Sequence, residues 1–408
     1  MGTADLYFCD AVEFLGDYIG PKFHALLCDP PYNLESIQKR FGKKDAAPAQ
    51  YGNDGAFFRV SRGFMGKEWD TNIAMRPETW KIIKRVLHPG AFCMAFSSTR
   101  TYHRMATAIE DAGFILHPMI GWIQGSGFPK ATNIHIQLEK DMFPCYKVEE
   151  NGKNVWRYKD TKELLRTEPP FRNSGADIWY GHRYGLQTLK PSFEPICVFQ
   201  KSYEGKPLQN IVDTGAGAIW VEGARIGEDV IPVNVLEEWS GLGQVQKPDY
   251  EQKEVIGRWP ANVVVSDYEV FPYDKFFYCA KANRKERDAG LEDMPDTMFG
   301  QSGGAQSKLK DGEEEYLQDS IGLNRIKKVK NPHPTVKPID LCRWLATLLL
   351  PPATYKDRRL LVPFSGTGSE VIGGLQAGWD LVTGIEIDLG YTDIAGKRIE
   401  WWMGLDKE

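Results

Sequence analysis

At 408 residues and 42% hydrophobic, the chain can bury a full core, either in one large domain with an insertion or in two domains. Its 50 basic and 55 acidic residues give a net charge of −5 and a pI near 5.9, which excludes a protein that coats nucleic acid through overall positive charge. Seven cysteines, at 9, 28, 93, 145, 197, 279 and 342, show no Cys-x-x-Cys spacing, so neither a zinc ribbon nor a disulfide framework is supported and no metal site is expected. The chain runs from Met1 straight into the strand-like Leu6-Tyr7-Phe8-Cys9, and its apolar runs are too short to span a bilayer; a soluble cytoplasmic protein is expected.

The first segment alternates strand and helix: Leu6–Cys9 as strand, Ala11–Tyr18 as a short helix, then the apolar strand Ala25–Cys28. That strand stops at Asp29-Pro30-Pro31-Tyr32. Proline fixes φ and cannot extend a sheet, so the four residues build a rigid shelf. On it a carboxylate and the carbonyl before a proline can accept the two N–H bonds of a planar amine, and the tyrosine ring can stack on its heterocycle. Two acceptors on those N–H bonds turn the nitrogen lone pair toward an electrophile, and a nucleobase amine taken out of its stack fits. A plain strand followed by a proline turn is the competing reading.

After the shelf comes a polar, glycine-rich stretch from Asn33 to Asn72, placed to close over the base pocket as a lid. A helix is expected over Pro77–Leu87, stopped by His88-Pro89-Gly90, then a strand at Ala91–Phe96, a helix over 100–112 capped by Gly113, and a strand at Met119–Ile123. From Gly125 to Asn331 the alternation breaks, leaving strand-like pieces at Ile196–Gln200, Ala218–Val221, Asn262–Val265 and Phe276–Cys279 and a loop at Gly300–Glu315. This middle region reads as an insertion whose Glu194–Lys201 piece returns to the sheet. Order resumes with a helix over Pro338–Leu350, the strand Leu360–Val362, a glycine loop, a helix over Ser369–Ala377, the strand Leu381–Ile385 and a terminal helix. The whole predicts an α/β fold with a doubly wound, mostly parallel, Rossmann-like sheet.

The loop Val362-Pro363-Phe364-Ser365-Gly366-Thr367-Gly368 joins strand to helix, and Glu386 lies at the end of the following strand. Glycines let the backbone approach a nucleoside, the helix start faces an anion, and the acid takes ribose hydroxyls. Val371 stands where a dinucleotide motif has its third glycine, which argues against NAD. Upstream, Thr335 and Lys337 in His333-Pro334-Thr335-Val336-Lys337-Pro338 suit a small carboxylate near a helix start, or simply a basic helix cap.

Together these three motifs resemble the S-adenosylmethionine-dependent DNA amino-methyltransferases. Their order, shelf first and Phe-x-Gly-x-Gly loop near the C-terminus, is similar to the permuted β class, and Gly125–Lys130 and Arg258–Asn262 look like segments of phage-type members. One departure is Val362 where many relatives carry Asp. The resemblance implies a methyltransferase sheet split into a catalytic half at 1–130 and a cofactor half at 332–408, with a target-recognition region at 131–331. It implies that Asp29 and the Pro30 carbonyl, braced by Pro31, hold the target amine while Tyr32 stacks on the flipped base. Phe364, Ser365, Gly366, Thr367 and Gly368 would line the cofactor, with Glu386 on its ribose, Thr335 and Lys337 toward its methionine end, and Asp10 on its adenine amine; a helix N-cap is the other reading of Asp10.

Asp at the shelf start favours adenine N6, with cytosine N4 the alternative and a non-catalytic cofactor-binding DNA-recognition module the second. The substrate implied is double-stranded DNA. A homodimer is compatible with the resemblance, and a partner restriction nuclease stays open. Arg325, Lys327, Lys328 and Lys330 form the densest basic cluster and, with Lys130, are expected to track phosphates; a solvated charge run is the other reading of the cluster. Trp, Tyr and Arg between 155 and 185 are candidates for the DNA cleft, or for ordinary core packing.

Overall fold

The computed structural model describes residues 2–32, 72–124, 129–150, 153–236, 250–266, 277–299 and 327–404. Almost all of the expected lid, the segment Gly125–Phe128, the loop Gly300–Glu315 and Arg325 lie outside them.

The N-terminal part supplies β1 (Thr3–Phe8), α1 (Ala11–Asp17), β2 (Phe23–Cys28), α2 (Pro77–Val86), β3 (Leu87–Phe96), α3 (Tyr102–Asp111) and β4 (Ile115–Ile123). The middle begins with β5 (Lys130–Asn133), α4 (Ile134–Met142), β6 (Cys145–Glu150), β7 (Lys153–Tyr158), α5 (Ser174–Ile178) and β8 (Arg183–Gln187). It continues with β9 (Phe193–Gln200), α6 (Pro207–Thr214), the hairpin strands β10 (Ile226–Leu236) and β11 (Tyr250–Arg258), then β12 (Val263–Val265) and β13 (Phe277–Tyr278). The last part holds α7 (Arg284–Asp288), β14 (Thr297–Phe299), β15 (Lys327–Val329), α8 (Ile339–Leu348), β16 (Arg359–Pro363), α9 (Ser369–Ala377), β17 (Leu381–Glu386) and α10 (Leu389–Met403).

Among the described residues, nine strands form one sheet in the order β1-β17-β16-β2-β3-β9-β4-β12-β13. Every neighbouring pair is parallel except the two made by β9, which runs against β3 and β4. β2 is buried at every residue, as a strand at the centre of a covered sheet must be, and its one polar side chain, His24, is hydrogen-bonded to the Arg359 backbone. Its side chains alternate: Ala25 and Leu27 pack with α8 and α9 on one face, Leu26 and Cys28 with α1, α2 and α3 on the other. α2 is placed by its residue spacing, since Thr79, Trp80, Ile83 and Val86 fall on one side of the helix and are buried.

From the contact between β2 and β16 the chain departs both ways, β2 to β3 through α2 on one face and β16 to β17 through α9 on the other. Such a reversal opens a crevice at the carboxyl ends of the strands, which is where doubly wound sheets bind ligands. Leu360 and Leu361 of β16 lie opposite Ala25 and Leu26 of β2, so the two ends of the sequence are neighbours here.

Three details depart from the sequence reading. His88-Pro89-Gly90 does not stop α2 with a turn; it lies inside β3, where Gly90 donates to Ser202 O and Asn210 Nδ2 donates to Pro89 O. Ala218–Val221 is not a strand: Trp220 donates its backbone N–H to Leu348 O and a 3-10 turn follows at Glu222–Ala224. The short pieces at 263–265 and 277–278, which the sequence leaves outside the strand–helix alternation, extend the main sheet beyond β4.

Candidate active site

Asp29 leaves the buried end of β2, and Pro30 and Pro31 are buried behind it. Because β9 is antiparallel, its first residues arrive at the edge where the parallel strands finish, and this brings Glu194 to Asp29. The Tyr32 hydroxyl lies 2.6 Å from Asp29 Oδ1 and 2.8 Å from Glu194 Oε1. Lys337, from the segment before α8, donates to Asp29 Oδ2 at 2.8 Å, to Glu194 Oε1 at 2.8 Å and to the Tyr32 oxygen at 3.0 Å. Its side chain is only 4% exposed, and its ammonium also stands 4.8 Å from the centre of the Phe96 ring.

Burial is the largest influence on Asp29 and raises its pKa; the Lys337 charge pulls it back and the Glu194 charge pushes it up again. For Lys337 burial acts downward, but the carboxylates of Asp29 and Glu194 outweigh it and the group stays charged. Burial, reinforced by the same two carboxylates, holds the Tyr32 phenol well above its ordinary range, so it stays protonated.

One strand over, the loop after β16 makes a tight turn. Phe364, Gly366 and Gly368 all have positive φ, at 61°, 51° and 84°. A Cβ on Gly366 would sit 3.2 Å from His333 Nε2, and one on Gly368 would sit 3.1 Å from Ala395 Cβ. Gly368 opens α9 without a side-chain cap among the described residues, as suits a helix start that receives an anion or a nucleoside. Glu386 is fixed as an acceptor by two backbone N–H groups, Gly366 to Oε2 at 2.7 Å and Asp388 to Oε1 at 2.9 Å. Burial, the largest effect, nonetheless raises its pKa. Beneath the turn, Thr367 Oγ1 accepts from Asn331 Nδ2 at 3.3 Å and from Arg398 Nη1 at 3.2 Å. Ser365 Oγ is buried with no hydrogen-bond partner among the described residues. A positive-φ turn at a helix start, an oriented acid on the next strand and an unpaired buried hydroxyl fit a nucleoside cofactor.

Asp10 caps α1, its Oδ1 accepting from Val12 N at 2.7 Å and Glu13 N at 3.0 Å. It also follows β1, whose Phe8 lies opposite Glu386, so the two acids share one edge. Thr335 N donates to His333 Nδ1 at 3.3 Å, and the His333 ring stands edge-on to Tyr391 beside Gly366. Lys337, expected at the methionine end of the cofactor, turns to the shelf because two buried carboxylates there claim its charge. Lys330 is tied down as well, donating to Glu292 O and Met294 O at 2.7 Å each, so it is part of the scaffold around β15. The side chains of Lys130, Lys327 and Lys328 lie outside the described residues, as does Arg325. Of the aromatics between 155 and 185, Tyr158 is buried against Glu139, whereas Trp179, Tyr180 and Tyr184 are exposed.

Two residues of this edge were not singled out by the sequence. Glu194-Pro195 at the start of an apolar run mirrors Asp29-Pro30 at the end of one, a signal that becomes legible only once β9 is known to be antiparallel. Glu370, the second residue of α9, is buried; desolvation, aided by the Asp29 charge, lifts its pKa to about 8.

The fold is thus a doubly wound sheet that sets a positive-φ glycine turn at the end of β16 beside a buried acid shelf at the end of the adjacent strand β2. The DNA methylase model of the N6/N4 methyltransferases matches residues 23–397, and the chain belongs to that family. It is a DNA methyltransferase, and its methyl donor is S-adenosylmethionine.

Solved structures similar to it include the M1.HpyAVI–SAM complex, at 13% identity and TM-score 0.39 over 97% of this chain and 99% of that one. TTHA0409, a DNA modification methylase from Thermus thermophilus, is 12% identical at TM-score 0.40 over 98% and 95% of the two chains. PvuII DNA methyltransferase, cytosine-N4-specific, is 11% identical at TM-score 0.42 over 97% and 86%. The comparison with curated proteins gave no match.

Proposed function

We propose that the protein methylates the N6 amine of adenine within a specific sequence of double-stranded DNA, acting on a base turned out of the helix. The observation that carries this reading is the juxtaposition of Asp29, at the end of β2, with the Phe364–Gly368 turn, at the end of the adjacent parallel strand β16. Asp rather than Ser at the shelf start supports adenine over cytosine.

S-adenosylmethionine supplies, when bound, a methyl group already activated by its sulfonium. The residues to hold it are Phe364 to Gly368 with Glu386 and Asp10 on the nucleoside side and Thr335 toward the other end. The chain's own work is orientation and exclusion of water. Asp29 has four lone-pair positions; Tyr32 occupies one on Oδ1 and Lys337 one on Oδ2, which leaves acceptor capacity for an amine N–H. The Pro30 carbonyl accepts the second N–H, and the nitrogen lone pair then points out of the plane toward the donor side. With its hydroxyl anchored by Lys337, the Tyr32 ring is a fixed platform for the base. Sequence recognition is assigned to the region 131–331, where Trp179, Tyr180 and Tyr184 offer exposed aromatic surface.

The test is incubation with radiolabelled S-adenosylmethionine and mixed-sequence duplex DNA, followed by nucleoside analysis. Label in N6-methyl-2′-deoxyadenosine is expected. Label in N4-methyl-2′-deoxycytidine overturns the base assignment, and cofactor and DNA binding without transfer means a recognition module.

A further inference from the structure

Lys337 has three N–H bonds, and they go to Asp29 Oδ2, Glu194 Oε1 and the Tyr32 oxygen. It has no lone pair, so in this geometry it neither accepts nor relays a proton. Tyr32 is different. Its oxygen accepts from Lys337, and its single hydrogen has two acceptors within reach, Asp29 Oδ1 at 2.6 Å and Glu194 Oε1 at 2.8 Å. Whichever carboxylate receives that hydrogen, the remaining lone pair faces the other. A hydroxyl held this way can take a proton from one side while giving its own to the other.

We propose that Asp29, the Tyr32 hydroxyl and Glu194 form a proton relay that removes the surplus proton from the methylated amine. The proposal rests on the reading above, that the amine is methylated at Asp29. As the nitrogen–methyl bond forms and the methyl–sulfur bond breaks, sulfur keeps the bonding pair and nitrogen is left positively charged. One N–H bond then gives its pair to nitrogen and its proton to Asp29 Oδ1. Protonated Asp29 donates to the Tyr32 oxygen as the tyrosine hydrogen passes to Glu194 Oε1, so the phenol is never left as a free anion. Asp29 is thereby restored as an acceptor beneath a base that shields it from water, and Glu194 hands the proton on to solvent. Glu194 acts through Tyr32 and not on the substrate.

Among the described residues, the charged and titratable groups around Glu194 are Asp29 and Tyr32 from the shelf, Lys337 from the approach to α8 and Lys281 from the segment after β13, and the charge of Asp29 is felt in turn by Glu370 of α9.

Single-turnover methyl transfer measured across pH for the wild type, Glu194→Gln, Tyr32→Phe and the double variant tests the relay, with calorimetric S-adenosylmethionine binding on each. Cofactor affinity is expected to hold, while each single variant slows transfer by about 100-fold and loses the acid limb of the wild-type pH profile. The double variant is expected to be no slower than the slower single one, because a broken chain is broken once. Wild-type rate and pH profile in either single variant, or losses that multiply in the double, overturn the relay alone. A wild-type protein that transfers no methyl overturns the methylation reading and the relay together. Should Glu194→Gln melt far below the wild type, Tyr32→Phe, which removes one oxygen and keeps the ring, decides.

Discussion

Lys337 Nζ stands 2.8 Å from Asp29 Oδ2, joining the segment before α8 to the end of β2 in a pair that is almost wholly withdrawn from water. A buried ammonium shared by two carboxylates and a phenol leaves an uncompensated charge when one partner is removed. Lys337→Met should therefore destabilise the protein by about 3–5 kcal/mol in urea unfolding and abolish methyl transfer. Adding Glu194→Gln should return part of that stability by deleting one of the two stranded carboxylates. A single variant within about 1 kcal/mol of the wild type would show the pair to be an ordinary exposed ion pair.

The shelf and the glycine turn were legible because their chemistry is local. Two prolines after an apolar run can only end a strand, and glycines at Gly366 and Gly368 mark backbone that other residues adopt at a cost. The partners were not legible in the same way. Which side chain meets Asp29 depends on strand order and direction, and nothing near Glu194 in the sequence says that β9 runs backwards between β3 and β4. The motif around Lys337 points it at the cofactor, since it carries no record of the two carboxylates waiting across the sheet edge. His88-Pro89-Gly90 misled for the opposite reason: a strong turn signal was overridden by hydrogen bonds from Gly90 and Asn210 that hold the triplet in β3.

Gly368 sits at φ 84° with room for a Cβ only 3.1 Å from Ala395 Cβ. Gly368→Ala should cost about 1–2 kcal/mol from the left-handed backbone, with the tight contact adding to it. S-adenosylmethionine affinity should fall by at least about tenfold, since a shift of that turn is felt directly by the nucleoside. Gly16→Ala in α1, where a Cβ meets nothing within 4 Å, is the control and should be neutral or slightly stabilising. Equal effects of the two changes on calorimetric cofactor binding would remove the turn from the cofactor site.

His24 of β2 accepts the Arg359 backbone N–H through Nδ1 at 3.1 Å, which requires the neutral ring with its hydrogen on Nε2. Burial, then the nearby charges of His88 and Arg359, lower its pKa from 6.5 to about 4. Between those values the unfolded chain binds the proton and the folded one does not, so stability is complete above the upper value and falls as pH drops through the window. His24→Asn keeps an acceptor for Arg359 but cannot titrate. Its unfolding free energy should fall less steeply from pH 6.5 to 4 than that of the wild type. Parallel curves for the two proteins would place the acid sensitivity elsewhere.

Glu370 sets the opposite slope. Burial, then repulsion from Asp29, raises its pKa from 4.5 to about 8, with its own backbone N–H, Lys337 and Arg398 pulling the other way. Over that interval the folded protein holds a proton that the unfolded chain has already released, so stability is present below the lower value and is lost as pH rises toward the upper one. Glu370→Gln preserves the shape of the neutral acid without the titration. It should melt above the wild type at pH 8 and converge with it near pH 4.5. Because Glu370 also adds negative charge next to Asp29 once ionised, the same variant should keep wild-type S-adenosylmethionine binding while holding methyl-transfer activity further into alkaline pH. A melting difference that grows toward acid instead of alkali would mean that Glu370 is ionised and paired in the fold, and the electrostatics assigned to this edge of the sheet would have to be reversed.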